Sequence, residues 1–336
     1  MGGTFDPRLA AARQERRYAA ADTDWHIDAG MSEMSIQFAM EPGMYLGNTV
    51  MPVVPVAKQY DRYYIWDKDY WFKIPDTRRA PATRANQVET SVSSNAYYCH
   101  NYALEEKIPF EDLTNADEAL ALEESTGRHI MQLMMLDQEN RIATLLTTAG
   151  NVGSGNALTG TAQWSDRANS DPVSDVTTGR LWVQKETGFK PSTMVVGQEV
   201  HDSLILHPDM IDRIKYVQAA TAGNVGNAVA DVMQVGRYLI GGAPKQNAAE
   251  GLPTSASSMT FIWGKNASLY YVPGAPGRNI PSAAYAFRWR PAGFTDFVVE
   301  TKDDDDIKAR LKRINYFQDE RVTASSLIYL LSTVVA

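Results

Sequence analysis

The chain has 336 residues, a single cysteine, Cys99, and five histidines. One cysteine excludes an intrachain disulfide and any multi-cysteine metal site, and it suits a reducing cytoplasm. His26, His100, His129, His201 and His207 never stand three or four residues apart, so no metal-ligand spacing arises. No apolar run reaches 18 residues and no signal-peptide core is present, so no membrane span or secretory route is expected. The sequon Asn266-Ala267-Ser268 is accordingly read as accidental. A Gly-x-Ser-x-Gly nucleophile elbow is missing, and so is any internal repeat.

Two glycine-rich segments imitate phosphate sites and fail on chemistry. Gly2-Gly3-Thr4-Phe5-Asp6-Pro7 matches the opening of a nucleotidyltransferase turn, but the His-x-x-His pair that would bind phosphate does not follow. Gly150 to Gly160 lacks the Gly-Lys-Ser/Thr ending of a phosphate loop and follows a helix, not a strand. With no catalytic constellation, the chain is read as not an enzyme, and no cofactor or metal is expected. Its 44% hydrophobic and 21% charged residues are those of a soluble globular protein. A net charge of −8 argues against a surface devoted to nucleic acid, though basic patches remain compatible with it.

What the sequence does contain is reach. Asp61 to Gly150 reads as an extended aromatic and basic arm running into one long helix. Tyr60 to Trp66 is an aromatic strand, Asp69 to Arg84 an exposed tip, and Gln87 to Cys99 the return strand, followed by Tyr102 to Ile108 as part of the same excursion. A hairpin of that size is marginal alone, so support from another subunit is expected. From Thr114, read as an N-cap with Asp117 approximating a capping box, a helix is expected to Thr148. Gly150 is its stop. The run Ile130, Met131, Leu133, Met134, Met135, Leu136 covers more than one face and reads as buried core, in preference to a cofactor pocket.

The remainder is less regular. Residues 1–48 form a polar lead in which Pro7 to Ala20 has the look of a short basic helix. Met51 to Val56 is extended and proline-punctuated. Asn151 to Asp175 reads as a connector rich in glycine and polar residues. Strands are expected at Thr193–Val196, Arg237–Ile240, Ala284–Arg290 and Phe297–Thr301. Met259–Trp263 and Ala267–Val272 read as a strand pair. Helices are expected over Glu199–Val217, broken near His207-Pro208, and over Val225–Val235. Lys302 to Asp306 makes a charged turn, and Ser325 to Val335 reads as a strand buried on both faces.

Two charged clusters invite a role. Lys73, Arg78, Arg79 and Arg84, with Trp71 and Phe72 beside them, suit either single-stranded nucleic acid or a protein groove. The groove is favoured, because acidic partners exist in the same chain at Glu123, Glu124, Asp303, Asp304, Asp305 and Asp306. Those four aspartates lack the alternating spacing of a calcium loop, which leaves a solvated tip or an intersubunit contact.

The order of basic hairpin, long helix, α/β region and β return resembles the major capsid proteins of tailed bacteriophages, of the Hong Kong 97 fold. The phrases that carry it are Asp69-Tyr70-Trp71-Phe72, Arg79-Ala80-Pro81-Ala82-Thr83, Tyr97 to Leu104, Asn115-Ala116-Asp117, Val235-Gly236-Arg237-Tyr238, Trp263-Gly264-Lys265-Asn266 and Tyr285-Ala286-Phe287-Arg288-Trp289. Ala82 departs from the pattern, where glycine is expected. The resemblance implies an α+β fold with six parts. These are an N-terminal arm (1–48), an extended β-hairpin loop (49–110), a peripheral domain with its spine helix (111–190), a mixed α/β axial domain (191–295), a peripheral β-hairpin return (296–322) and a last axial strand (323–336). It also implies self-assembly as hexamers and pentamers into an icosahedral shell around double-stranded DNA, built in the host cytoplasm. Scaffolding, portal and decoration proteins would be further partners, and the packaged DNA a non-specific one. The twelve residues of the two charged clusters become candidate intersubunit contacts. The alternative on the same fold is an encapsulin-like nanocompartment shell around a protein cargo.

Overall fold

Proline and apolar residues set the entry to the body. In the computed structural model, residues 26–27, 45–66, 72–89, 91–115, 119–214, 225–247, 259–277, 280–291 and 296–336 are described. The Pro7–Ala20 segment, the Gly2–Pro7 turn, Trp71 and Asp117 lie outside them. Strand β1 (His26–Ile27) and helix α1 (Gly47–Val50) precede β2 (Val53–Val56), β3 (Tyr60–Trp66), β4 (Val92–Tyr98) and β5 (His100–Pro109). Helices α2 (Phe110–Asn115) and α3 (Ala119–Thr147) follow, then β6 (Ser154–Ala157), α4 (Pro172–Thr187), β7 (Thr193–Gly197), α5 (Gln198–Ile205), α6 (Pro208–Ile214) and α7 (Val225–Met233). The chain closes with β8 (Arg237–Gly241), β9 (Pro244–Gln246), β10 (Met259–Phe261), β11 (Ala267–Tyr270), β12 (Ala284–Trp289), β13 (Val298–Asp304), β14 (Ala309–Val322) and β15 (Ile328–Ser332).

The described residues fall into two compact units. One holds His26–Ile27, Asn101–Met134 and residues 296–316. Its sheet is made by β1, β13, the first part of β14 and β5, with β13 and β14 antiparallel from Val298↔Asn315 to Asp304↔Ala309. Tyr316 sits between the rings of Tyr102 and Phe297, at centroid distances of 5.4 and 5.0 Å.

The other unit holds residues 45–100, 135–291 and Phe317–Ala336. Its five-stranded sheet runs β6-β15-β11-β7-β8. Every residue of β7 and β11 is buried, as are the first four of β15. The continuous apolar run near the C-terminus therefore forms the two-faced buried strand expected of it, shortened to five residues. A second sheet layer pairs the end of β14 with β12 and β12 in parallel with β2.

Several expectations are corrected. The long helix is described over Ala119–Thr147, 29 residues or about 43 Å at 1.5 Å per residue, and residues 116–118 before it lie outside the described ones. Thr114 is no N-cap: it lies inside α2, where its hydroxyl donates to the carbonyl of Phe110 at 2.7 Å. Gly150 does not stop α3 either. The helix ends at Thr147, and Asn151 caps the carbonyl of Leu145 at 3.0 Å with its side chain. Leu133 is exposed while Ile130, Met131, Met134 and Met135 are buried.

The connector 151–175 contains β6, paired in parallel with β15. Glycine permits it: a β-carbon on Gly155 would stand 2.5 Å from the carbonyl oxygen of Leu330. Helix α4 carried no expectation, although Asp171 accepts from Ser174 N at 2.9 Å, Pro172 opens it and Gly188 closes it. Strands β10 and β11 do not pair with each other; β10 pairs with β9, and β11 lies between β15 and β7. Residues 102–108 leave the hairpin as well, since β5 joins β14.

Glu139 of α3 organises the second unit. Its carboxylate is 1% exposed and accepts three N–H groups: Leu46 N at 3.1 Å, Gly47 N at 2.7 Å and Trp263 Nε1 at 2.6 Å. Burial raises its pKa above the ordinary glutamate value, against the opposing pull of the three donors. The folded state thus holds this proton more tightly than the unfolded chain. The linked stability is complete below the ordinary value and is lost as pH rises through the raised one. Glu139→Gln places an amide among three donors, and is expected to cost about 1–3 kcal/mol at neutral pH. Urea unfolding of the unassembled subunit across mildly acidic to neutral pH should also find this part of the pH slope gone from the variant.

Candidate intersubunit surface

No helix among the described residues is long and apolar enough to cross a membrane. No cluster of three His, Cys, Asp or Glu side chains suited to a metal occurs among them. The buried His207 is used internally, with Nε2 3.1 Å from Ser170 Oγ and Nδ1 accepting from Asp209 N at 3.3 Å. His201 Nδ1 lies 3.0 Å from the Tyr238 hydroxyl, and burial lowers its pKa. Asn266 donates to the carbonyl of Trp263 at 3.1 Å, and Ser268 of the sequon is buried in β11. The features with reach are the loop and the acidic hairpin.

The loop grows from a tightly built root. Strands β3 and β4 pair from Tyr60↔Tyr98 to Trp66↔Val92. Tyr97 stacks on Phe287 with ring centroids 4.6 Å apart, and Tyr63 approaches the same ring at 5.3 Å. Tyr98 N donates to Asp319 at 2.8 Å, and Trp289 Nε1 to the Ala57 carbonyl at 3.2 Å. The Cys99 thiol donates to the Phe287 carbonyl at 3.3 Å, and burial pushes its pKa up to about 11. A thiol so placed is packing, not a nucleophile. Burying each such ring contributes about 1.5–3 kcal/mol.

Past the root the chain opens. Phe72, Lys73, Arg78, Arg79 and Arg84 are all exposed, together with Ile74 and Val88. Asp76 gives the tip local order, accepting from Arg78 N at 2.9 Å through its side chain and from Asn86 Nδ2 at 2.6 Å through its carbonyl. Ala82 stands at φ 62°, the left-handed conformation that explains the expectation of glycine there.

The acidic residues are partly engaged within the chain. Asp303 and Asp304 belong to β13, not to the turn, which is formed by residues 305–308. The register places Asp303 opposite Arg310, which binds it through two nitrogens at 2.7 and 3.1 Å. Arg310 also reaches Glu123, and Lys312 Nζ donates to the Glu123 carbonyl at 3.0 Å. Arg310 holds the Asp303 carboxyl below the usual carboxylate range. Glu124 pairs with Arg128 one turn along α3. Asp305 meets Lys308 at 3.3 Å yet stays nine-tenths exposed, and Asp304 accepts the N–H of Asp306 at 3.0 Å. Pairing within the chain, invisible to composition, thus leaves Asp304, Asp305 and Asp306 without an arginine partner among the described residues, the last two of them exposed. Arg310→Ala should cost about 1 kcal/mol or less, since the pairs are partly screened. Proton titration of Asp303 by NMR should show its carboxyl returning toward the ordinary value.

Residues 135–280 match a family model described as Phage major capsid protein E. The major capsid protein of Burkholderia phage BcepMu is 26% identical over 267 residues, covering 78% of this chain and 82% of its own length. A crystal structure of a phage-related protein from Bordetella bronchiseptica superposes with a TM-score of 0.69 at 20% identity, over 92% of this chain and 97% of that one. The capsid structure of cyanophage P-SCSP1u superposes with a TM-score of 0.56 at 10% identity, covering 86% and 88%.

Proposed function

We infer that the chain is a phage major capsid protein, a structural subunit whose copies build the shell of the virion. The match of residues 135–280 to the phage capsid family carries this reading. The fold is the α+β fold of Hong Kong 97-type capsid proteins. The encapsulin-like alternative is not favoured, because the relatives recognised by sequence are phage capsid proteins. The role is structural, and no catalytic activity is assigned to the chain.

The finer reading concerns geometry and contents. The shell is icosahedral, made of hexamers and pentamers, assembled in the host cytoplasm and filled with double-stranded DNA that the subunit contacts without sequence preference. Scaffolding, portal and decoration proteins are its other partners. Residues 49–110 form the loop that reaches a neighbour, 111–190 and 296–322 the peripheral part, and 191–295 with 323–336 the axial part. The loop grips through Trp71, Phe72, Lys73, Arg78, Arg79 and Arg84. Its targets are acidic groups of the neighbour, chiefly Asp304, Asp305 and Asp306, with Glu123, Glu124 and Asp303 contributing charge that their own arginines already offset. Exposed ion pairs contribute under about 1 kcal/mol each, so a shell relies on many copies of them and on apolar contact.

Electron microscopy of the purified full chain should show closed particles, and particles from infected cells should protect DNA from nuclease. A small oligomer would overturn the shell, and a protein cargo without DNA would restore the compartment. Arg78→Glu with Arg79→Glu should cut particle yield while leaving the subunit folded; normal particles would remove the arginines from the contact. Replacing Asp304, Asp305 and Asp306 by asparagine tests the acidic side in the same way. Unchanged particle stability would make that tip merely solvated.

A further inference from the structure

The outgoing limb of the loop does not leave its root unsupported. The ring edge of Phe72 approaches Gly188, with Cζ and Cε1 3.3 and 3.4 Å from the point where a β-carbon on that residue would stand. Gly188 closes α4 in the left-handed conformation, φ 74°, and its N–H bonds the Gln184 carbonyl at 2.8 Å. A helix end capped by glycine presents bare backbone, and the edge of an aromatic ring can approach it closely. Beside it the chain is fixed: Thr187 Oγ1 donates to the Val183 carbonyl at 2.7 Å, and the Phe189 ring meets Tyr271 at 4.8 Å. Phe72 nevertheless remains 58% exposed, so only part of it is used. Two residues on, Ile74 is 94% exposed.

We propose that the C-terminal end of α4 is a docking platform on which Phe72 parks the outgoing limb of the loop against its own subunit, fixing the direction in which the basic tip departs. The contact is one-sided and small, enough to bias a limb and not enough to bury it. Preorganisation of this kind lowers the ordering cost that a binding segment meets when it engages a partner. The consequence for assembly rests on the capsid reading: a parked limb presents Arg78 and Arg79 to a neighbour from a narrow range of positions, and a loose one does not.

Trypsin reads the contact directly, because Lys73 follows Phe72 in the chain. In the unassembled full-length subunit, Phe72→Ala should raise cleavage after Lys73 several-fold, with an unchanged melting temperature and far-UV spectrum. Phe72→Leu should restore much of the protection, and Ile74→Ala should leave it at the native level. An unchanged cleavage rate in Phe72→Ala would overturn the platform, and so would an equal rise in Ile74→Ala. Particle assembly, measured separately by light scattering, should be slower for Phe72→Ala. A rise in cleavage with native assembly would keep the platform and remove its role in the shell, whereas a chain that forms no particles at all would fault the capsid reading alone.

Discussion

A buried carboxylate, with no cation paired to it among the described residues, dictates much of the larger unit. Glu139 sits in a long helix and is surrounded by N–H groups from the chain entering at Leu46 and Gly47 and from Trp263. Without those donors, the desolvation of the charge would cost several kcal/mol. With them, three distant parts of the sequence are held to one point. Neighbouring side chains of the helix repeat the pattern: Gln138 donates to Asn48 at 2.9 Å, and Asn140 accepts from Lys245 at 2.9 Å. Around these polar ties the apolar core closes over Ile142 and Leu146.

The same logic, polar groups matched one by one, governs what is left for partners. Arg310 takes up Asp303 and Glu123, and Arg128 takes up Glu124. A shell subunit must be soluble before it assembles and adhesive afterwards. In the shell proposed above, charges half-satisfied within the chain would serve both needs, steering association without committing much energy to any single pair. The loop divides its labour similarly, with a root of packed aromatic rings and a tip left open to solvent.

Much of this was legible in the sequence. Aromatic richness marked β3, the valines at 225, 229, 232 and 235 marked α7, and the apolar run near the C-terminus marked β15. Helix α4 was legible too, through Asp171, Pro172 and Gly188, but its mixed composition hid it. Strand β6 was not, because a glycine-rich stretch becomes a strand only when a neighbour such as β15 supplies the partner. Of the candidate surface, the basic tip could be read from composition. The engagement of Asp303 could not, since it depends on the register that sets it opposite Arg310.

The sequence by itself marked many of the elements, among them β3, α7 and β15, and the exposed basic tip of the loop. These follow from local spacing and residue type, which act over a few residues. Only the tertiary structure decided which strands pair, which of the acidic residues an arginine already engages, and that Phe72 approaches Gly188. Each of these depends on groups brought together from distant parts of the chain, and a hydrogen bond or ring contact has no counterpart in the sequence until both partners are in place.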